Sequence, residues 1–244
     1  MMREIRPQAG PQELFLSASA DIVIYGGAAG GGKTWGLLME PLRHIHNPLF
    51  RAVIFRRTFP QITNPGGLHD DAQTLYPLVG GKDTQPSSGI TWTFPSGAVV
   101  RFAHMQHEKN RYDWQGAQIP LIAFDELTHF SEEQFFYMLS RNRSTAGIRP
   151  YMRATTNPDA SSWVARFIAW WIDQDTGYAI PERAGVIRWF VRFNEEIVWA
   201  DSPEALPQPA GSLSDSDSEA AHPPKSVTFI PARLQDNPIL MRKD

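Results

Sequence analysis

Residues 22–34 read Ile22-Val23-Ile24-Tyr25-Gly26-Gly27-Ala28-Ala29-Gly30-Gly31-Gly32-Lys33-Thr34. An apolar, β-branched run feeds a glycine-rich loop that closes on Lys-Thr. Gly27, Gly32, Lys33 and Thr34 satisfy G-x-x-x-x-G-K-[ST], the phosphate-binding loop. Glycines at Gly27, Gly30, Gly31 and Gly32 let consecutive backbone N–H groups turn toward a polyphosphate where a Cβ would clash. Lys33 then reaches the β- and γ-phosphates, and the Thr34 hydroxyl can ligate Mg²⁺. The stretch Trp35 to Leu42 is expected to continue as a helix with its N-terminus toward the phosphates. A flexible glycine-rich turn is the plain alternative. The strand before the loop and the helical stretch after it argue against that alternative.

The chain has 244 residues, enough for one large domain or for a domain with a small subdomain. Its hydrophobic content of 42% and mean hydropathy of −0.33 are those of a soluble globular chain. It has no apolar run long enough to span a bilayer, and Met1 to Pro7 lack the apolar core of a signal peptide. Cysteine is absent, which excludes disulfides and thiolate metal sites and suits a reducing compartment. The net charge of −3 means that any basic binding surface must be local.

Strands are expected at Asp21–Gly26, Ala52–Arg57, Leu121–Phe124, Met152–Thr156 and Ser226–Pro231, from their short apolar runs. Residues 90–94 and 98–102 flank Pro95-Ser96-Gly97 and read as a hairpin. Ser131 to Arg141 reads as a helix capped by Ser131, with Gln134 three residues on as a capping box prefers. Ala165 to Ile172 is apolar and also reads as helical. Strands alternating with helices imply a mostly parallel α/β sheet. Residues 201–224 differ sharply, with five acids, five prolines and no Lys or Arg, and are expected to form a mobile loop.

Asp125-Glu126 ends the apolar run 121–124. An acid at the end of a buried strand beside the phosphate loop can hold the Mg²⁺ shell, the role assigned to Asp125. Its neighbour Glu126 can act as general base on the attacking water. Taken alone, the pair could simply open a helix, where acids favour the positive dipole end. Thr155-Thr156-Asn157, at the end of the next strand, can sense the γ-phosphate or order the water, or can merely form an Asn-Pro turn. Hydrolysis of this kind gains about 10³–10⁵ in rate from an arginine that neutralises transition-state charge. Arg56, Arg57, Arg111, Arg141 and Arg143 are the candidates, each of which could instead be a solvated surface charge.

With these pieces assembled, the chain resembles the ATPase domain of the large terminase subunit, the genome-packaging motor of tailed bacteriophages. The resemblance runs from about Gln12 to Leu240. Its segments are 12–16, 26–34, 55–58, 112–117, 124–128, 140–143, 156–158, 163–168 and 229–238, in that order. It implies an α/β P-loop NTPase of the ASCE type, with a mostly parallel central sheet flanked by helices and a small lid subdomain. The implied layout is an ATPase core over 1–159, a lid over 160–200, the acidic Ser/Pro-rich loop over 201–224, and a return strand and domain end over 225–244. It implies ATP and Mg²⁺ as cofactors, Gln12 as the residue reading the adenine, and Thr155, Thr156 and Asn157 as the coupling motif that links hydrolysis to lid motion. The implied partners are double-stranded DNA, a portal protein, a small terminase subunit and further copies in a ring, usually of five. The implied location is the bacterial host cytoplasm, with transient docking on a procapsid.

Two departures from the family pattern bear on the site. Many relatives carry an arginine inside the phosphate loop, where this sequence has Ala28-Ala29. The arginine finger must then come from elsewhere, with Arg143 or Arg141 favoured and a neighbouring subunit as one source. Large terminases also continue into a nuclease domain, for which residues up to Asp244 leave no room. Arg43, Arg51, Lys109, Arg111, Arg149 and Arg153 are available for phosphate contact with DNA, though each also reads as a surface charge. Two other functional classes fit the loop: a helicase-like P-loop ATPase, and an assembly module that binds nucleotide but hydrolyses little.

Overall fold

A computed structural model describes residues 5–27, 30–85, 89–157, 159–193, 196–207, 223–233 and 236. In chain order the elements are α1 (Pro11–Ser17), β1 (Ile22–Gly27), α2 (Lys33–Met39), β2 (Arg51–Arg56), α3 (Phe59–Thr63), α4 (Leu68–Leu75), β3 (Lys82–Thr84), β4 (Ile90–Thr93) and β5 (Val99–His104). They continue as β6 (Leu121–Phe124), α5 (Glu132–Arg141), β7 (Tyr151–Thr156), α6 (Trp163–Phe167), β8 (Arg188–Phe193), β9 (Glu196–Ala200) and β10 (Lys225–Ala232), with short 3₁₀ turns between them.

The ten strands among the described residues form one sheet in the order β3-β4-β5-β2-β6-β7-β1-β10-β8-β9. The six central strands from β5 to β10 are parallel to their neighbours, and antiparallel strands flank them on each side. β1 lies between β7 and β10 and alternates its side chains between two cores. Val23 and Tyr25 pack with Phe15, Leu37 and Tyr76 on one face, and Ile22 and Ile24 pack with Phe124, Phe135 and Phe229 on the other. A strand covered on both faces reads as a continuous apolar run, which is why 22–24 has no polar residue.

The expected strands appear within one or two residues of their predicted bounds, and the helix at 132–141 carries its Ser131 cap and Gln134 capping box. The predicted hairpin is β4–β5. Two expected helices are shorter than read. α2 gives way to a 3₁₀ turn over Glu40–His44, and the 165–172 stretch is α6 followed by a 3₁₀ turn at Ala169–Trp171. Pro41 removes an amide donor in the first of these.

Residues 160–200, expected as a lid, contribute α6 and then β8 and β9, which extend the main sheet beyond β10. Of the expected mobile loop, Pro203–Ala205 form a 3₁₀ turn and Leu206 is buried; 208–222 lie outside the described residues. The end of the chain after the return strand, 237–244, also lies outside them. Among the described residues no helix is long and apolar enough to cross a membrane.

A parallel sheet has a carboxyl edge and an amino edge. The carboxyl ends of β1, β6 and β7 carry the glycine loop, Asp125-Glu126 and Asn157 respectively, so the topology gathers these sequence signals on one edge. The amino edge carries a different feature, an open cavity of about 480 Å³ lined by Asp21, Glu40, Arg43, Arg149 and Arg153 among others.

Candidate active site

The loop is held from three sides. At Gly27 (φ 140°) a Cβ would lie 1.8 Å from the Ala232 carbonyl oxygen, so β10 passes too close for any side chain. Gly32 sits in the left-handed region (φ 70°) as the N-cap of α2. The Tyr25 hydroxyl donates to the Gly31 carbonyl at 3.0 Å, and burial pushes its ionisation well above the usual tyrosine range, so it stays a donor. Gln12 is buried on α1 and donates to the Gly32 carbonyl at 2.8 Å. Gln12 thus stands against the phosphate loop at the start of α2.

Lys33 is buried and donates from Nζ to the Gly27 carbonyl (3.1 Å) and to Asn157 Oδ1 (2.8 Å). Burial lowers its pKa below the ordinary lysine value, while Glu126 and Asp125 pull it back up. Asn157 in turn donates from Nδ2 to both Glu126 carboxylate oxygens, at 3.3 and 3.4 Å. The two partners fix the amide's orientation, because an ammonium requires the oxygen and a carboxylate requires the nitrogen. Lys33, Asn157 and Glu126 therefore form one polar chain across the carboxyl edge.

A second connection lies beneath it. The buried Thr155 hydroxyl donates to Asp125 Oδ1 at 2.6 Å and accepts from the Glu126 backbone N–H at 3.0 Å. Glu126 has φ 61°, which no other non-glycine described residue shares. A left-handed glutamate is costly and persists only where its surroundings over-determine it. Here the Thr155 bond fixes the amide and Asn157 holds the carboxylate, so Glu126 and Asp125 are held by different partners. Thr156 is fully buried, and its hydroxyl has no hydrogen-bond partner among the described residues.

Asp125 is 1% exposed, and its Oδ2 has no hydrogen-bond partner among the described residues although Arg56 Nε lies 2.7 Å away as an ion pair. That oxygen and the half-buried Thr34 hydroxyl are oxygen donors of the kind Mg²⁺ prefers. Among the described residues no cluster of three or more His, Cys, Asp or Glu could hold a metal unaided. The donor set fits Mg²⁺ shared with nucleotide phosphates, the usual case for this ion.

The family model described as "Terminase large subunit, T4likevirus-type, N-terminal" matches residues 24–243. The chain belongs to this terminase family. Among solved structures it is similar to the large terminase of a thermophilic bacteriophage. The TM-score is 0.54 at 16% identity in one crystal form, over 66% of this chain and 42% of that one. In a further crystal form of the same phage protein the TM-score is 0.50 at 16% identity, over 64% and 40%. The N-terminal domain of the DNA packaging ATPase from bacteriophage phi29 gives a TM-score of 0.49 at 14% identity, over 77% and 93%. No curated protein sequence matches. This terminase chain spans about 42% of the length of the thermophilic phage protein, and the likeness establishes the P-loop NTPase fold.

The favoured finger candidates are not at the site of this terminase chain. Asn142 donates to the carbonyls of Ile119, Pro120 and Tyr151, which anchors the 141–143 turn beside the starts of β6 and β7. Arg143 is exposed there, and Arg141 stacks over Tyr137 with 5.1 Å to the ring centroid. This is the amino edge, and β6 separates it from Asp125 by about 13 Å, at about 3.3 Å per residue. Within one chain, neither arginine reaches the loop. Of the other candidates, Arg57 is committed to Gln134 Oε1 and the Met105 carbonyl, and Arg111 to Glu108 and Glu133. Arg56 is the one that meets the acid pair.

Several of the basic residues proposed for DNA contact make internal pairs, and of these Arg43, Arg51 and Arg149 stay exposed while Arg153 is buried. Arg43 pairs with Glu40 at 3.0 Å and Arg149 with Asp21 at 2.5 Å. Arg153, 3% exposed, donates to the carbonyls of Ala18, Ala20 and Met152 and lies 3.6 Å from Glu40. Arg51 donates to the carbonyls of Pro48, Phe50 and Gly97. Lys109 lies in the 3₁₀ segment before β6 and is exposed.

Proposed function

We propose that this chain is the ATPase domain of a viral DNA-packaging motor, hydrolysing ATP to move double-stranded DNA into a procapsid. The observation that carries the reading is the Lys33–Asn157–Glu126 chain lying beside Asp125 at the ends of adjacent parallel strands. Family membership supplies the packaging context.

In this mechanism the loop and Lys33 cradle the triphosphate, and Gln12 reads the base. The Thr34 hydroxyl and Asp125 would hold Mg²⁺, which when bound would supply positive charge to offset that of the phosphates. Glu126 accepts a proton from the water that attacks the γ-phosphorus. The bond to the bridging oxygen breaks, and ADP and inorganic phosphate leave. Asn157 reports the state of the site. A triphosphate that draws Lys33 toward itself weakens the Lys33–Asn157 bond and so loosens the hold on Glu126. Thr155, Thr156 and Asn157 thereby couple the nucleotide state to the segment that follows, residues 160–200, read as the lid. A finger from Arg143 or Arg141 would have to come from a neighbouring copy in a ring, of five subunits in this reading. The portal, the small terminase subunit and the bacterial host cytoplasm complete the assignment.

A motor that ignores sequence grips mainly phosphates, so duplex binding should weaken steeply with salt. Lys33→Ala should bind a fluorescent, non-hydrolysable ATP analogue at least tenfold more weakly than wild type. Undiminished binding by that variant overturns the nucleotide site, and salt-insensitive duplex binding overturns the DNA assignment. Mixing Glu126→Gln with Arg143→Ala subunits under ring-forming conditions should restore turnover if Arg143 acts across the subunit boundary; failure to restore it removes Arg143 from that role.

A further inference from the structure

Asp125 presents two differently treated oxygens. Oδ1 receives a short, well-aligned bond from the Thr155 hydroxyl. Oδ2 faces Arg56 Nε at 2.7 Å, yet neither atom makes an aligned hydrogen bond. Arg56 reaches it because β2 and β6 are parallel neighbours with Phe55 opposite Phe124, so the next residue on each strand meets across the edge.

Arginine holds a carboxylate best through two parallel N–H···O bonds. Here the contact is a single approach without hydrogen-bond alignment. A carboxylate this deeply buried still needs a neutralising cation, since an unpaired buried charge is strongly destabilising. The pairing therefore supplies charge without optimal geometry, on the very oxygen left over for a metal.

We propose that Arg56 is the resident counter-cation of Asp125 in the nucleotide-free chain, and that it yields Oδ2 to the divalent ion arriving with a nucleoside triphosphate. This rests on the nucleotide-site reading above. The exchange makes and breaks no covalent bond. One cation replaces another, so the Asp125 carboxyl keeps a positive partner in both states while Thr155 keeps its orientation. Arg56 thus sets how much Mg²⁺ the site requires.

The test is a Mg²⁺ titration of fluorescent ATP-analogue binding to the full chain, for wild type, Arg56→Gln, Arg56→Lys and Lys33→Ala. Removing a positive charge beside the ligand oxygen should favour the metal. Arg56→Gln is expected to lower the Mg²⁺ concentration at half-saturation at least fivefold, with analogue affinity in EDTA within twofold of wild type. Arg56→Lys, with its shorter and non-planar head group, should shift the same way by about twofold; it serves if the Gln variant fails to fold. An unchanged or raised Mg²⁺ requirement in the folded variants overturns the proposal. Wild-type analogue binding by Lys33→Ala would instead overturn the nucleotide-site reading, and this inference with it.

Discussion

Replacing Thr155 by valine keeps shape and volume and deletes one hydroxyl. That hydroxyl donates to Asp125 Oδ1 at 2.6 Å and accepts the Glu126 N–H at 3.0 Å, and Thr155 itself is 1% exposed. A hydrogen bond to a charged group contributes about 1.5–3 kcal/mol and a neutral one about 0.5–1.5 kcal/mol. The buried Asp125 Oδ1 and the part-buried Glu126 N–H would each lose this partner, so Thr155→Val should destabilise the fold by about 2–4 kcal/mol. For a chain of this length that corresponds to a fall in melting temperature of about 4–16 °C. The same change releases the amide that holds Glu126 in its left-handed conformation, so turnover per folded molecule should also fall. Thr155→Ser keeps the hydroxyl and should recover most of both losses. Urea unfolding at constant m-value, with turnover normalised to the folded fraction, separates the two effects. If Thr155→Val and Thr155→Ser are equally stable and equally active, the bridge is not what orders the acid pair.

Two other contacts set further expected outcomes. Gly27→Ala would put a Cβ 1.8 Å from the Ala232 carbonyl at a φ of 140°; it should cost more than about 4 kcal/mol, beyond the usual single-substitution range, and push β10 off β1, read as lost amide protection in residues 225–232. The lowered pKa of Lys33 arises first from burial. Between that depressed value and the ordinary lysine value the folded chain binds fewer protons than the unfolded one, so this group's contribution to stability rises with pH across the window. A bound triphosphate favours the ammonium, so nucleotide binding in the same window should take up a proton and weaken as pH rises. Calorimetry in two buffers of different ionisation heat measures this; the absence of proton uptake there would count against a Lys33–phosphate contact.

The central strand, the loop and the acid pair are legible in the sequence because each sits where local sequence dominates. An apolar run, a glycine cluster and a strand-terminal carboxylate need no tertiary information. The edge on which a residue lies does need it, which is why Arg141 and Arg143 stand at the opposite edge from the acid pair they follow in sequence. The ten-residue helix α5 rises about 15 Å at 1.5 Å per residue, which carries the chain back along a β-strand of similar length to the amino edge. That signal is present in the helix length. Arg56 is likewise recoverable, since Arg56 ends one buried strand, Asp125 directly follows another, and parallel register sets them side by side. β8 and β9 are harder to read because residues 188–200 are rich in aromatics on both faces, so the alternation that marks a strand is blurred. α1, α3 and α4 are short helices whose burial against the sheet, rather than their propensity, keeps them helical.

The central claim is that the carboxyl edge carries out ATP hydrolysis with Glu126 as general base. It is tested most directly by steady-state ATP turnover and ATP-analogue binding of wild type and Glu126→Gln side by side. The account predicts that Glu126→Gln binds the analogue within a few-fold of wild type and turns over about 10²–10⁴-fold more slowly, the range for losing a general base. Equal turnover by the two proteins would contradict it.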